Sequence, residues 1–126
     1  MQVKSTIKLN MTKIRHLTQA SIIALERTAE ALHTEVIQAQ VMPFDTGHMQ
    51  EDSFFVDYSD SELGRVSLVV STRYARRLYY HPEYNFQKSE NPFAGGRWYE
   101  PWLPGWANQD FCQRVFKKFY KKAGGL

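Results

Sequence analysis

Cysteine is almost absent from this sequence, and most of the structural roles of cysteine are excluded with it. The 126 residues include one cysteine, Cys112. A single thiol cannot close a disulfide within the chain, and it cannot form a zinc site built from several cysteines. The fold therefore depends on its own hydrophobic core, which a domain of this length is large enough to form.

Long apolar runs are missing as well. No stretch approaches the roughly 20 apolar residues that a membrane-spanning helix needs. Residues 1–10 alternate in polarity and lack the continuous apolar centre of a signal peptide. We therefore expect one domain over residues 1–126, synthesised in the cytoplasm and without a membrane partner.

The net charge is small, but the charges are segregated along the chain. Lys and Arg number 16 and Asp and Glu number 13, which leaves +3. The acidic segment, residues 45–62, has no Lys or Arg and contains Asp45, Glu51, Asp52, Asp57, Asp60 and Glu62. The basic segment, residues 111–126, has no acid and contains Arg114, Lys117, Lys118, Lys121 and Lys122. Two interpretations remain open: both segments are simply solvated, or they meet between identical subunits.

Periodicity predicts a strand and then a long helix. Residues 2–9 alternate apolar and polar, which indicates a half-buried strand with lysines on one side. A helix is expected over residues 11–41, with this apolar stripe: Ile14, Leu17, Ser21, Leu25, Thr28, Leu32, Val36 and Ala39. At 1.5 Å per residue it would be about 45 Å long. Because this exceeds what a small sheet covers, we expect part of it to project or to meet a neighbouring subunit.

The second half predicts a hairpin, a short helix, a long loop and a final helix. Residues 53–58 and 65–72 have β character and flank a polar turn. Tyr74–Tyr80 resembles one short helix, and the loop that follows extends over residues 81–107. The last helix is expected to begin after an N-cap at Asn108 and to end with Gly124 in the C′ position. Its apolar stripe is Phe111, Val115 and Phe119, with Cys112 and Phe116 beside it.

No set of side chains predicts catalysis. Glu30 and His33 form a single Glu-x-x-His step, which is typical of an exposed helix surface when it occurs once. Cys112 lies at the margin of an apolar stripe, where a buried thiol is more usual than a catalytic dyad with His81. The acidic residues near the turn are more simply solvated than paired as acid and base. We therefore expect no enzymatic activity, no metal and no cofactor.

Aromatic residues are unusually frequent for a small domain, at 14% of the chain. Much of the surplus lies between residues 79 and 106, and Arg97 stands among it. Three roles remain open for this cluster. The rings pin the loop to the core, or they form a subunit interface, or they stack on nucleic-acid bases.

Three segments in order resemble the minor capsid or head-to-tail joining proteins of long-tailed double-stranded DNA phages. Residues 43–50 read Pro-Phe-Asp-Thr-Gly-His-Met-Gln and resemble a Pro-Val-Asp-Thr-Gly-x-Leu box in that family. Residues 74–81 resemble its Tyr-Ala segment, and residues 97–102 resemble its aromatic-proline step before the last helix. Phe44 replaces a small aliphatic residue, and His81 stands where many members have Glu. The likeness covers about residues 2–123 and is strongest to phages and prophages of Gram-positive bacteria.

The resemblance implies an α+β fold, with a long N-terminal helix packed on a small antiparallel sheet and a C-terminal amphipathic helix. It implies a structural virion protein at the phage neck, a ring subunit (hexamer or dodecamer) that joins the portal and head-completion complex to the tail. Other neck and tail proteins would be partners, and phage DNA would pass nearby without specific binding. The 81–97 loop is expected to pack poorly in the monomer and to order on assembly.

We select interface candidates from the charged segments and the aromatic loop. They are Asp45, Glu51, Asp52, Tyr80, Phe86, Phe93, Arg97, Trp98, Trp102, Arg114, Lys118 and Lys121. The alternative function is a small basic RNA-binding protein or a ribonuclease-like toxin, which the basic final helix and the Arg76–Arg77 pair favour. The acidic segment, and the lack of a catalytic His and Glu arrangement, count against this alternative.

Overall fold

The fold is α+β, as the sequence predicts. A computed structural model describes residues 11–43 and 53–126. Within these ranges the helices are α1 (Met11–Gln38), α2 (Ala75–Tyr79) and α3 (Phe111–Gly124), and the strands are β1 (Phe54–Asp57) and β2 (Ser67–Val70). Short 3₁₀ turns occur at Ser61–Leu63 and Glu100–Trp102. The predicted strand at residues 2–9 and most of the 43–50 box lie outside the described residues.

The core lies where the second half of α1 meets the sheet and the long loop. Its buried members are Val36, Met42, Phe54, Ala75, Trp98 and Trp102. The two strands pair antiparallel, with Phe54 opposite Val70 and Val56 opposite Leu68. Phe54 is buried, and Leu68 and Val70 pack against the same core. These three residues therefore share the face of the hairpin that meets the core.

α1 ends three residues earlier than predicted, and the cause is local. Gln40 adopts a left-handed conformation with φ of 57°, and its backbone N–H donates to the Ile37 carbonyl oxygen (3.1 Å). This turn closes the helix before Pro43 can act as a terminator. The chain then brings Met42 into the core, where it is fully buried.

α3 runs antiparallel beside the first half of α1. The His16 Nε2–H group donates to the carbonyl oxygen of Gly124 (3.3 Å), while Phe111 packs near the core at the other end. Part of α1 was expected to project or to meet another subunit. The first half of the helix is instead covered on one side by α3 of the same chain. No residue of α3 is fully buried, and the predicted apolar stripe, Phe111, Val115 and Phe119, is half-buried.

The α3 boundaries and the buried side of α1 differ from the prediction. Asp110, not Asn108, holds the N-cap position, and Gly125, not Gly124, takes the left-handed conformation at the C-terminus (φ 68°). On α1 the predicted stripe is confirmed as buried at Thr28 and Val36, but Ala20 and Ala24 are buried where Ser21 and Leu25 were expected. Alanines allow two helix backbones to approach closely, whereas the predicted stripe favoured the larger side chains.

The 81–97 segment was expected to pack poorly; residues 82–90 are mostly exposed, whereas residues 91–97 are packed against the core. The buried Asn91 Nδ2 donates to the Met42 carbonyl oxygen (2.8 Å). The backbone N–H of Gly95 donates to Val41 (3.1 Å), and that of Arg97 donates to Tyr79 (2.9 Å). Two separate segments, residues 41–42 and the end of α2 at Tyr79, therefore fix residues 91–97.

Gly96 lies so close to neighbouring backbone that a larger residue has no room. A Cβ atom at this position would stand 2.9 Å from the Leu78 carbonyl oxygen and 2.9 Å from the Pro82 Cα. We predict that Gly96→Ala lowers the free energy of unfolding by about 1–3 kcal/mol, because backbone must shift to relieve the overlap. Chemical denaturation measures this change.

The neighbouring glycine supplies the matched control. A Cβ atom at Gly95 meets nothing within 4 Å. Gly95→Ala should therefore change the free energy of unfolding by no more than about 0.5 kcal/mol. Equal losses for the two variants would contradict the close approach at Gly96.

Candidate interaction surfaces

The aromatic loop divides its rings between the core and the solvent. Trp98 and Trp102 are 3% and 8% exposed, and Trp98 packs edge-on against Tyr79 with ring centroids 4.8 Å apart. Phe93 and Trp106, by contrast, are 70% and 50% exposed. Core anchoring therefore describes the first pair, whereas the second pair remains available for an interface.

The exposed rings border a cleft, which we call the loop cleft. It has a volume of about 200 Å³ and is lined by Val41, Phe93, Gly96, Arg97, Trp98, Glu100, Pro101 and Trp106. Leu103 is also an exposed apolar side chain on this loop. Large apolar side chains concentrated on one exposed loop are typical of a contact with another protein.

Arg97 connects the loop cleft to Tyr80. Its guanidinium lies 5.9 Å from the centre of the Tyr80 ring, which is itself 56% exposed. Arg97 has a φ of 52°, a conformation that non-glycine residues seldom adopt, and its N–H bond to Tyr79 holds it there. Of the remaining loop candidates, Phe86 is half-buried.

A second groove follows the edge of β2, and we call it the sheet-edge groove. Its volume is about 500 Å³, and its lining is mostly apolar: Leu68, Val69, Val70, Ala75, Arg76, Tyr79, Tyr80, Trp98 and Tyr99. Burial raises the pKa of the Tyr99 phenol, which is therefore neutral at physiological pH. Tyr80 and Trp98 were predicted as interface candidates, but the groove itself was not predicted. The sequence feature that indicates it is the small number of predicted strands, because a sheet of few strands leaves an edge unpaired.

The basic surface lies on α3 and faces solvent. Arg114 is exposed and forms an ion pair with Asp110 one turn earlier (3.4 Å). Lys117, Lys118, Lys121 and Lys122 are exposed, and among the described residues they have no ion-pair partner within 4 Å. This face of α3 is available to an acidic partner, whether protein or nucleic acid.

Part of the acidic segment is already neutralised within the hairpin. The Arg65 guanidinium donates to the Asp60 carboxylate (2.6 Å). The Ser59 backbone N–H donates to Asp57 (3.0 Å), and this hydrogen bond lowers the pKa of the Asp57 carboxyl. Asp45, Glu51 and Asp52 lie outside the described residues, so the proposed contact between acidic hairpin and basic helix stays a prediction.

His33 and His81 have structural partners. The Nε2–H group of His33 donates to the Phe54 carbonyl oxygen (3.0 Å), and its ring stacks on Phe54 with centroids 4.2 Å apart. The Nδ1–H group of His81 donates to Glu83 (2.7 Å). Within residues 11–43 and 53–126, no group of three or more His, Cys, Asp or Glu side chains is placed to hold a metal ion.

No helix within the described ranges is both long enough and apolar enough to span a membrane.

The chain matches no protein-family model, no curated protein and no solved structure. The likeness to phage neck proteins therefore stands on the three sequence segments described above, and it stays a prediction.

Cys112 offers a direct test of the environment on α3. Burial raises the pKa of its thiol, so less reactive thiolate is present near neutral pH. We predict that an alkylating reagent at pH 7.5 modifies Cys112 several-fold more slowly than an exposed thiol on the same helix. Mass spectrometry over a time course measures both rates.

The matched thiol is Gln113→Cys in a Cys112→Ser background, since Gln113 is the exposed neighbour. The difference between the two alkylation rates should become smaller as the pH rises through the raised pKa of Cys112, because both thiols are then ionised. Alkylation of Cys112 as fast as that of the exposed thiol would contradict a shielded environment.

Proposed function

We propose that this chain is a structural subunit of the neck of a long-tailed phage, a ring subunit between the portal complex and the tail. The observation that carries the proposal is the loop cleft. Phe93 and Trp106 are large, exposed and held on a loop that is hydrogen-bonded to the core. A rigid apolar surface of this kind loses little conformational entropy when a partner covers it.

The fold and the sequence segments support the same assignment. The α+β arrangement with a long first helix agrees with what the resemblance implies. The 74–81 segment supplies Tyr79 and Tyr80, and the 97–102 segment supplies Arg97, Trp98 and Trp102. Two of the three resembling segments therefore build the region in which the core and the exposed surface meet.

The two exposed surfaces suit different partners in such an assembly. The loop cleft is apolar with aromatic borders, which is typical of the centre of a protein interface. The α3 face carries a row of lysines and suits an acidic neighbour or the DNA that passes through a neck. Structural assembly requires no catalytic group and no cofactor, in keeping with the chemistry expected from the sequence.

We predict that Trp106→Ser and Phe93→Ser each raise the concentration needed for half-maximal self-assembly by about tenfold or more, as loss of an aromatic hot spot does. Leu63→Ser is the control, because Leu63 is 83% exposed but lies in the hairpin turn. Sedimentation or mass photometry measures the distribution of species.

Imaging of intact virions tests the location directly. Density or label for this chain is expected at the neck, in a ring of six or twelve copies. A parent protein that stays monomeric at all concentrations and is absent from virions would refute the proposal.

The RNA-binding alternative rests on the lysines of α3, which have no ion-pair partner among the described residues. It predicts RNA binding whose affinity falls steeply with salt and falls further when Lys117, Lys118, Lys121 and Lys122 are replaced by Gln. Binding measured by fluorescence anisotropy at low and high salt tests it. The alternative is wrong if the parent protein fails to bind RNA at low salt.

A further inference from the structure

The outer edge of β2 presents hydrogen-bonding groups to the sheet-edge groove. The Ser71 N–H donates to the Ser53 carbonyl oxygen (3.0 Å), which identifies these two residues as a hydrogen-bonded pair. Such pairs alternate along an antiparallel ladder, so Leu68 and Val70 occupy the positions that do not bond to β1. Their backbone N–H and C=O groups therefore point away from β1, into the groove.

Among the described residues no other backbone segment bonds to this edge. The groove wall opposite the edge is built from Ala75, Tyr79, Trp98 and Tyr99. A strand added here would place one face against these apolar side chains and the other face beside Val69 and the half-exposed Phe55. The edge thus calls for a segment that alternates apolar and polar residues.

Residues 2–9 of this sequence have the required pattern. Val3, Ile7 and Leu9 fall on one side with Ser5, while Lys4, Thr6 and Lys8 fall on the other. The apolar side matches the groove wall, and the lysine side matches the solvent face. Four residues of β2 are available, which is enough to pair with the central part of this segment.

The segment cannot fill the groove of its own chain. The sheet lies beside the second half of α1: His33 bonds to Phe54 (3.0 Å), and the Tyr58 hydroxyl donates to Glu30 (2.8 Å). Met11, where α1 begins, is about 28 Å from Glu30 along the helix axis at 1.5 Å per residue. Leu9 is two residues from Met11 and reaches at most about 7 Å from it.

A chain folded back along α1 would bring only its first residues to the level of the groove. Val3 is eight residues from Met11 and reaches about 27 Å when fully extended. Residues 3–9 as a unit therefore cannot pair with β2 of the same copy. A second copy has no such restriction.

We propose that residues 3–9 of one copy add as a third strand to the β2 edge of another copy. The contact is main-chain pairing in the sheet-edge groove, with Val3, Ile7 and Leu9 covering Tyr79, Trp98 and Tyr99. It rests on the self-association required by the proposed function and names the contact that links neighbouring subunits. Each copy both donates a strand and accepts one, so the same contact closes a ring or a reciprocal dimer.

Disulfide trapping between two different variants tests the pairing. Both carry Cys112→Ser; one carries Val69→Cys, and the other carries Lys4→Cys, Thr6→Cys or Lys8→Cys, which cover registers two residues apart. A mixed disulfide is expected with at least one of the three, because neighbours on adjacent strands have Cβ atoms about 5 Å apart. Ile7→Cys lies on the opposite face and should yield at least tenfold less.

Leu63→Cys in place of Val69→Cys controls for random collision, because Leu63 is 83% exposed but lies in the turn between β1 and β2 and not on the β2 edge. Equal yields from Leu63→Cys and Val69→Cys, or no mixed disulfide in any register, would overturn the proposal. Since each variant has one thiol, a mixed disulfide reports a contact between copies and never one within a copy.

Charge substitution gives an independent readout on the full chain. Ile7→Asp puts a carboxylate against the groove wall and should abolish assembly or raise the concentration needed for half-maximal assembly at least tenfold. Thr6→Asp puts the same charge toward solvent and should change that concentration by no more than about twofold. Equal behaviour of the two variants overturns strand addition.

Rings that survive Ile7→Asp and lie at the virion neck would retain the proposed function without this contact. A trapped dimer absent from virions would retain the contact without the function.

Discussion

The burial of two tryptophans beneath α1 is the interaction on which the other parts depend. Trp98 and Trp102 occupy the core together with Val36 and Met42, which are completely buried. The second half of α1, the hairpin, α2 and the long loop all contribute to this cluster. Aromatic rings bury a large apolar area each, so the two-stranded sheet of the described residues becomes part of a stable domain.

The same burial determines what the surface presents. Trp98 and Trp102 fill the space between the loop and the core, whereas Phe93 and Trp106 remain exposed to solvent. The hydrogen bonds at Asn91, Gly95 and Arg97 fix the backbone on either side of Phe93. The core and the candidate interface are therefore two sides of one loop, and a change at Gly96 would disturb both.

Periodicity was sufficient to predict the helices and the hairpin, because each depends on side chains close in sequence. It was not sufficient for the α1 contact, where the buried line follows Ala20 and Ala24 and not the larger Leu25. It could not decide which tryptophans turn inward, since that depends on the backbone at Gly96 and Arg97. An open sheet edge follows from the small number of predicted strands, but the residues of β2 that direct backbone groups to that edge depend on the pairing with β1, which the pattern of one strand does not specify.

α3 differs from the rest of the fold in the kind of burial that holds it. None of its residues is fully buried, and apart from Phe111, which packs against the tryptophan core, its contacts lie mainly along one side of α1. An element held in this way can detach without opening the core, at a free energy below that of global unfolding. Its amides would then exchange with solvent faster than those of the second half of α1. The domain thus has two levels of stability, and its basic helix belongs to the lower one.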